Sequence, residues 1–247
     1  MADLQDSLRK LVNASGFLFQ LRVEQEIRAT QPSRRGDWEV VAHEHRWIEA
    51  AEGGEGFIDI ILRSGFGRMI IECKRVMDAS WVFLVPDQKN QTARSRLLWT
   101  VRNAEDQEIA SWHDFYVLPI SAESAFCAVR GQGEKDVPML ERIASHLLKS
   151  VESFASEELS YTSRASHDPI IYFPVIVTNA ALYVCHFDPL KVDLASGQLA
   201  EGDFKQVPYI RFRKTLSSNL LPREPPRDVE QSNQENERTV FIVNPSD

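Results

Sequence analysis

Two apolar runs, FIDIIL at 57–62 and MIIECK at 69–74, carry the density of hydrophobic residues found in buried strands. The glycine-containing RSGFG between them is short enough for a hairpin. Upstream, residues 3–29 keep a helical period through Leu4, Leu8, Leu11 and Val12, then Phe19, Val23 and Ile27, with a break at Gly16. QPSRRGD reads as a loop, and WEVVAHEHRWIEA as a strand ended by EGGEG. Residues 88–103, with QTARSRLLWTVR and few breakers, read as a helix, and FYVLP and AFCAVRG as strands. VPMLERIASHLLKSVESFASEEL predicts a long helix, with Pro138 at its start and a stripe of Leu140, Ile143, Leu147, Val151 and Phe154. IIYFPVIVTN and ALYVCHFD predict two strands around an Asn-Ala turn, and VPYIRFRKTL another.

This order predicts one α/β domain with a mixed sheet over residues 1–221. Residues 222–238, polar and proline-bearing, read as a linker. Residues 239–247 are too apolar for a free tail and read as an added strand, on this chain or as a contact to a homodimer or protein partner.

Composition narrows the class. With 43% hydrophobic and 26% charged residues, the 247-residue chain can bury a sizeable core. No apolar run approaches the roughly 18 residues of a membrane span, so no membrane partner is expected. Cys73, Cys127 and Cys185 are isolated and lack CxxC spacing, which argues against a disulfide framework or zinc site and for a reducing, cytoplasmic setting. The formal charge of -8 does not announce a nucleic-acid binder, yet the basic residues are 20 Arg against 8 Lys, and Arg is the better bidentate phosphate ligand.

The chemistry sits in the hairpin. If Leu62 opposes Met69 across a four-residue loop at 64–67, Asp59 opposes Glu72, with Cβ atoms about 4.5–5.5 Å apart. Glu72 and Lys74 share a strand face. Two carboxylates and an ammonium then converge inside apolar strands, where an unpaired acid costs several kcal/mol, of order 2–7, or gives up its charge. Hard oxygen ligands suit Mg²⁺ or Mn²⁺, and a nearby ammonium neutralises charge developing on a phosphate. That kit suits metal-assisted phosphodiester hydrolysis.

Asp59, twelve intervening residues, then Glu72-Cys73-Lys74 resembles the PD-(D/E)XK nuclease superfamily, with its restriction-endonuclease-like fold. The resemblance implies a core of helix, three strands, helix and strand, matched here to about residues 3–130, with 131–221 as elaboration. It implies that Asp59 and Glu72 hold Mg²⁺ (or Mn²⁺), that the Cys73 carbonyl adds a ligand, and that Lys74 assists the attacking water. An acid from the first helix often completes the set. Glu24, between core positions Val23 and Ile27, is the expected one, with Gln20 a turn earlier as helper and Glu26 the weaker substitute. Ile58 stands where the family name has Pro, and the chain beyond about residue 131 matches no pattern of the family. The implied partner is nucleic acid, with DNA the usual substrate.

Arg75, Arg94 and Arg96 are the candidate phosphate contacts. Glu44 or His45 reaches the same site if their strand lies beside the hairpin. His43 and His45 share a strand face in AHEHRW, without a third His nearby to complete a metal site. GQGEKD at 131–136 lacks phosphate-loop spacing and reads as a turn. The competing reading of the same residues is a catalytically inactive module that keeps the nuclease fold for binding nucleic acid or protein. An ordinary hairpin face with structural ion pairs to Lys74 is the blander alternative.

Overall fold

The computed structural model describes residues 2–30, 38–49, 54–77, 79–86, 91–102, 107–129, 138–161, 168–216, 218–220 and 226–246. The loop read at QPSRRGD up to Asp37, the turn at 131–136 and the start of the polar stretch, 221–225, lie outside them.

Helices α1 (Ala2–Ala14) and α2 (Phe17–Thr30) part at Ser15-Gly16, where the Ser15 N–H and hydroxyl both turn back to the Val12 carbonyl. Strands β1 (Glu39–Ile48), β2 (Glu55–Ser64) and β3 (Gly67–Lys74) follow as an antiparallel meander. Leu62 opposes Met69 as expected. The connection is tighter than the four residues expected, because Ser64 and Gly67 still pair and Gly65, at φ +51°, takes the left-handed turn position.

The chain continues through β4 (Ser80–Val85), β5 (Gln91–Arg102), β6 (Glu108–Ser124), β7 (Cys127–Val129), α3 (Met139–Tyr161), β8 (Ile170–Thr178), β9 (Ala181–His186), β10 (Asp203–Gln206), β11 (Tyr209–Thr215), α4 (Val229–Asn236) and β12 (Glu237–Val243). The helix expected over 88–103 is instead strand β5. Leu97 and Leu98 are both fully buried, on opposite faces, and Leu98, Thr100 and Arg102 keep a period of two. The two edges of β5 pair with β6 and β8, and its two faces meet different cores through Leu97 and Leu98, which is the alternation of a strand.

Eight strands form one sheet in the order β1-β2-β3-β8-β12-β11-β6-β5, and a further pairing of β5 with β8 closes the last five into a barrel. β8 makes this closure possible. Its whole length pairs with β3 on one edge, while the other edge is divided. Residues 170–172 pair with β5, and 175–177 pair with β12. Pro174 lies between the two blocks and has no N–H to offer either. The sheet is therefore mixed, as expected, but a barrel with a three-strand flap replaces a plain central sheet.

β8 and β9 do not form a hairpin around Asn179-Ala180. β9 runs on into a second sheet, β10-β9-β4-β7, and pairs in parallel with β4, just as β8 pairs with β3. Asn179 ties the crossing together, accepting from Val76 N at 2.7 Å and donating to Val76 O at 2.9 Å.

The polar stretch at 222–238 is not a plain linker where it is described: Asp228 caps α4 by accepting from Gln231 N, and Glu237 already begins β12. Nor does β12 reach out to a partner. It lies inside this chain's own sheet, antiparallel to β11 and parallel to β8. Two apolar cores flank the strands. One packs α3 through Leu140, Ala144, Leu147, Leu148 and Val151, and the other packs α2 through Val23. Trp81 and Phe83 are core, without exposed ring surface.

Candidate functional site

The ladder between β2 and β3 ends at Ile60–Ile71, one residue short of Asp59 and Glu72. Beyond it the two strands are joined through a side chain, since Asp59 Oδ2 accepts from Cys73 N at 2.6 Å. The reason lies in β1. Glu44, which faces the Asp59 position in the β1–β2 register, has φ +48° and is the only described non-glycine residue in the left-handed region. That turn reverses the side-chain alternation of both strands. Ile58 packs in the α3 core while Ile60, two residues on, packs in the α2 core. His43 lies against Glu24 of α2 at 3.3 Å, whereas His45 meets Glu157 of α3 at 2.9 Å. The two histidines therefore do not share a face, contrary to the sequence expectation.

Asp59, Glu72, Glu44 and Lys74 form one electrostatic cluster at this irregularity. Burial raises the Asp59 carboxyl to about 6, with the neighbouring Glu44 charge adding to the rise and the Cys73 N–H and Lys74 opposing it. Burial likewise raises Glu72 to about 7, with Asp59 and Glu44 adding and Lys74 opposing. Both acids are half-buried. The Cys73 thiol, desolvated and beside both carboxylates, is pushed far up, so it is not a thiolate ligand.

The expected helical acid behaves differently. Glu24 is buried on the inner face of α2, but Arg28 donates to it at 2.8 Å and His43 lies beside it. Burial alone would raise its carboxyl; those partners outweigh burial and hold it below the ordinary value. It is a paired charge. Gln20, a turn earlier on the same face, does reach the cluster: its amide donates to Glu44 Oε1 and approaches the Asp59 carbonyl at 3.4 Å. Glu26 is exposed and paired with Arg22. The third acid near Asp59 and Glu72 thus comes from β1 as Glu44, not from α2. The sequence offers Glu44 or His45 for this site on the condition that their strand lies beside the hairpin, as β1 does; the left-handed backbone at Glu44 is what the sequence does not report.

His45 faces α3, with Phe154 edge-on to its ring, and is not part of the cluster. Arg75 follows Lys74 and is half-buried. Arg94 and Arg96 lie on β5 of the barrel and are ion-paired with Asp114 at 3.0 and 3.7 Å. They are not grouped with the acids.

Asp59, Glu72 and the Cys73 carbonyl fit a hard divalent cation by donor chemistry: oxygen ligands only, with two repelling, desolvated carboxylates. Among the described residues no group of three or more His, Cys, Asp or Glu is placed to hold a metal ion. A cation here would accordingly draw part of its shell from backbone and solvent. Comparison with known proteins adds no constraint: no family model, curated protein or solved structure matches the chain.

Proposed function

We propose that the Asp59–Glu72–Lys74 cluster is the hydrolytic centre of a metal-dependent nuclease of PD-(D/E)XK type, with Mg²⁺ or Mn²⁺ as cofactor and nucleic acid, DNA by the resemblance, as substrate. The observation that carries the reading is the pair of raised carboxyls, about 6 and about 7, facing one lysine at the point where two buried strands part. Lys74 lowers both, and burial outweighs it. The element order supports the restriction-endonuclease-like fold: α2, the β1–β3 meander, then α3 and β8, with β8 parallel to β3. The match is displaced from its expected span of 3–130, because β4–β7 intervene and the second helix and last strand fall at 139–178.

In this reading Asp59 and Glu72 present oxygen donors, and the Cys73 N–H fixes one Asp59 oxygen in place. When bound, the divalent cation supplies Lewis-acid stabilisation of the phosphate and lowers the pKa of water. Lys74 orients that water by hydrogen bonding and offsets the negative charge that grows on the phosphate. Gln20 holds Glu44 at the rim of the cluster. The three cysteines are free thiols, in keeping with a cytoplasmic enzyme, and no described helix is long and apolar enough to cross a membrane.

The test is cleavage of plasmid, linear duplex, single-stranded DNA and RNA with Mg²⁺ or Mn²⁺, alongside Mn²⁺ binding by calorimetry. Activity that disappears in both Asp59→Ala and Lys74→Ala is expected, with Mn²⁺ binding lost in Asp59→Ala. A wild-type chain that neither binds Mn²⁺ nor cuts any substrate overturns the reading in favour of an inactive binding module.

A further inference from the structure

Strands β5 and β6 carry one face from the core out into solvent. Leu98 and Trp112, directly opposed, are buried in the core that packs α3. Two residues along each strand, Arg96 opposes Asp114, and the next pair on that face is Arg94 and Tyr116, both exposed. Opposed side chains stand about 4.5–5.5 Å apart at Cβ, so these four form one patch. The ladder breaks just beyond it. Tyr116 faces Arg94 but Ser121 faces Thr92, so residues 117–120 of β6 bulge against Ala93 alone. Arg211 donates to the Val117 and Pro119 carbonyls, and the Tyr209 hydroxyl lies against the Pro119 and Ile120 carbonyls. The bulge is thus held in place while Tyr116, Leu118 and Ile120 project from it, 83, 76 and 56% exposed.

The charges of the patch are incompletely answered. Asp114 binds Arg94 at 3.0 Å but lies 3.7 Å from Arg96, beyond hydrogen-bond reach. The Arg96 Nε is buried and has no hydrogen-bond partner among the described residues. Arg213 approaches Asp114 at 3.4 Å and is shared with Glu237 at 2.7 Å. Donors are left over for an oxyanion, and the planar fork of a guanidinium fits a phosphate. The patch also lies on the rim that carries the acid cluster. Cys73, Val177, Val243 and Tyr209 are successive partners across the sheet. Tyr209, which meets the bulge, is therefore three strand spacings, roughly 15 Å, from the residue beside Glu72.

We infer that this patch binds an unpaired nucleic-acid strand, with Tyr116 stacked on a base and Arg94 and Arg96 on the adjoining phosphate. An exposed ring takes a base by its flat face, which a duplex keeps covered by its neighbours, so the ligand is single-stranded. Leu118 and Ile120 flank that base with apolar surface. Binding here needs no metal; that the bound strand is led along the rim to the acid cluster rests on the hydrolytic reading. The chain's charge of -8 repels a polyanion at long range, so the complex forms at low ionic strength.

Fluorescence anisotropy of labelled oligothymidine with the full chain, in EDTA and low salt, tests it apart from cleavage. The strand should bind more tightly than a duplex of the same length. Tyr116→Ala should weaken it at least about fivefold, with an unchanged melting temperature because the ring makes no part of either core, and Tyr116→Phe should restore it. Arg94→Gln should lower the salt slope by about 0.7. Asp114→Asn should tighten binding, since it frees both arginines for phosphate; a purely structural ion pair predicts no gain. No strand binding, a preference for duplex, binding indifferent to Tyr116→Ala, or thymidine monophosphate competing as well as the strand would each overturn the proposal. Binding that depends on Tyr116 in a chain that cuts nothing supports the patch and fails the hydrolytic reading alone.

Discussion

Two regions that take charge into the sheets handle it in opposite ways. In the barrel, Arg211 is fully buried, and every nitrogen of its guanidinium donates: to Ser95 Oγ, to Ser121 Oγ, and to the carbonyls of Val117 and Pro119. Arg238, also buried, donates through Nη1 to the Glu235 and Glu237 carbonyls and lies 4.6 Å above the Trp112 ring. Its Nε has no hydrogen-bond partner among the described residues, so it is less completely answered than Arg211. Desolvation still pulls its pKa down to about 10, which leaves it charged at neutral pH. At the end of the β2–β3 ladder, by contrast, Asp59 and Glu72 repel one another, with one backbone N–H and one lysine in opposition. A buried charge whose partners are all supplied by the chain is structural. One left unanswered stores free energy that a ligand of opposite charge can release.

The barrel half of this comparison breaks most visibly. Arg211→Ala would leave the buried Ser95 and Ser121 hydroxyls without their donor, at about 1–3 kcal/mol each, remove a donor from the Val117 and Pro119 carbonyls, and open a cavity in the barrel. A loss of about 4 kcal/mol or more in urea unfolding is expected, or failure to fold. Full tolerance of the substitution would show that water replaces the guanidinium and that the barrel charge is not structural.

Removing a charge from the acid cluster should do the reverse. Glu72 titrates at about 7 in the fold against 4.5 for the free residue, so its burial is tolerated as the neutral form and resisted as the anion. The folded state binds more protons than the unfolded one between those values. The contribution of Glu72 to stability is then full below its free value of 4.5 and is lost as pH rises through about 7. Glu72→Gln should stabilise the chain by about 2 kcal/mol at pH 8 and by nothing measurable at pH 4, while abolishing Mn²⁺ binding. Equal unfolding free energies for the two proteins at pH 8 would mean the carboxylate is already satisfied within the chain.

Metal binding should carry the opposite pH slope. Both carboxyls must lose a proton to become ligands, so Mn²⁺ affinity should be at least about tenfold weaker at pH 5.5 than at pH 8. The melting temperature should accordingly rise with Mn²⁺ at pH 8 and hardly move at pH 5.5. Binding that is flat with pH would place the ion elsewhere.

How far the sequence could foretell these regions follows from the same physics. The register of the hairpin was legible from the short glycine-containing connection that sets Leu62 opposite Met69; the apolar pattern alone could not set it, since both faces of these strands meet a core. The α3 stripe was legible from its apolar period of about 3.6 residues. Strand β5 was not: Arg94, Arg96 and Arg102 look like a solvated helical face, and only the partners in β6, β8 and α3, distant in sequence, make Arg96 and Arg102 partly or fully buried strand positions. The apolar run at 239–243 was legible as an added strand, β12, but α4 was hidden inside a polar stretch whose composition resembles a linker although Asp228 supplies a helix cap. Barrel closure divides one edge of β8 between β5 and β12, partners distant in sequence that no local pattern reports. At the site, Asp59 and Glu72 announced themselves by interrupting apolar runs. Glu24 drew attention by lying beside core residues, but Arg28, one turn later, already neutralises it.

Glu44 is where the comparison between the two regions is sharpest, because there the strain is in the backbone as well as in the charge. At φ +48° it occupies a region that costs a residue with a side chain of order 1 kcal/mol and costs glycine nearly nothing. Its carboxylate also adds to the rise of both Asp59 and Glu72. Glu44→Gly should therefore raise the unfolding free energy by up to about 1 kcal/mol, despite removing the acceptor of the Gln20 amide. It should also move the pH midpoint of Mn²⁺ binding downward, because the remaining acids ionise more easily without a third negative charge. Glu44→Ala separates the two effects: it removes the charge but keeps a Cβ in the left-handed region, so the pH midpoint should fall while the stability gained with glycine does not appear. If both variants destabilise the chain equally, the Gln20–Glu44 contact outweighs the strain, and Glu44 belongs with the satisfied charges of the barrel instead of with the acids.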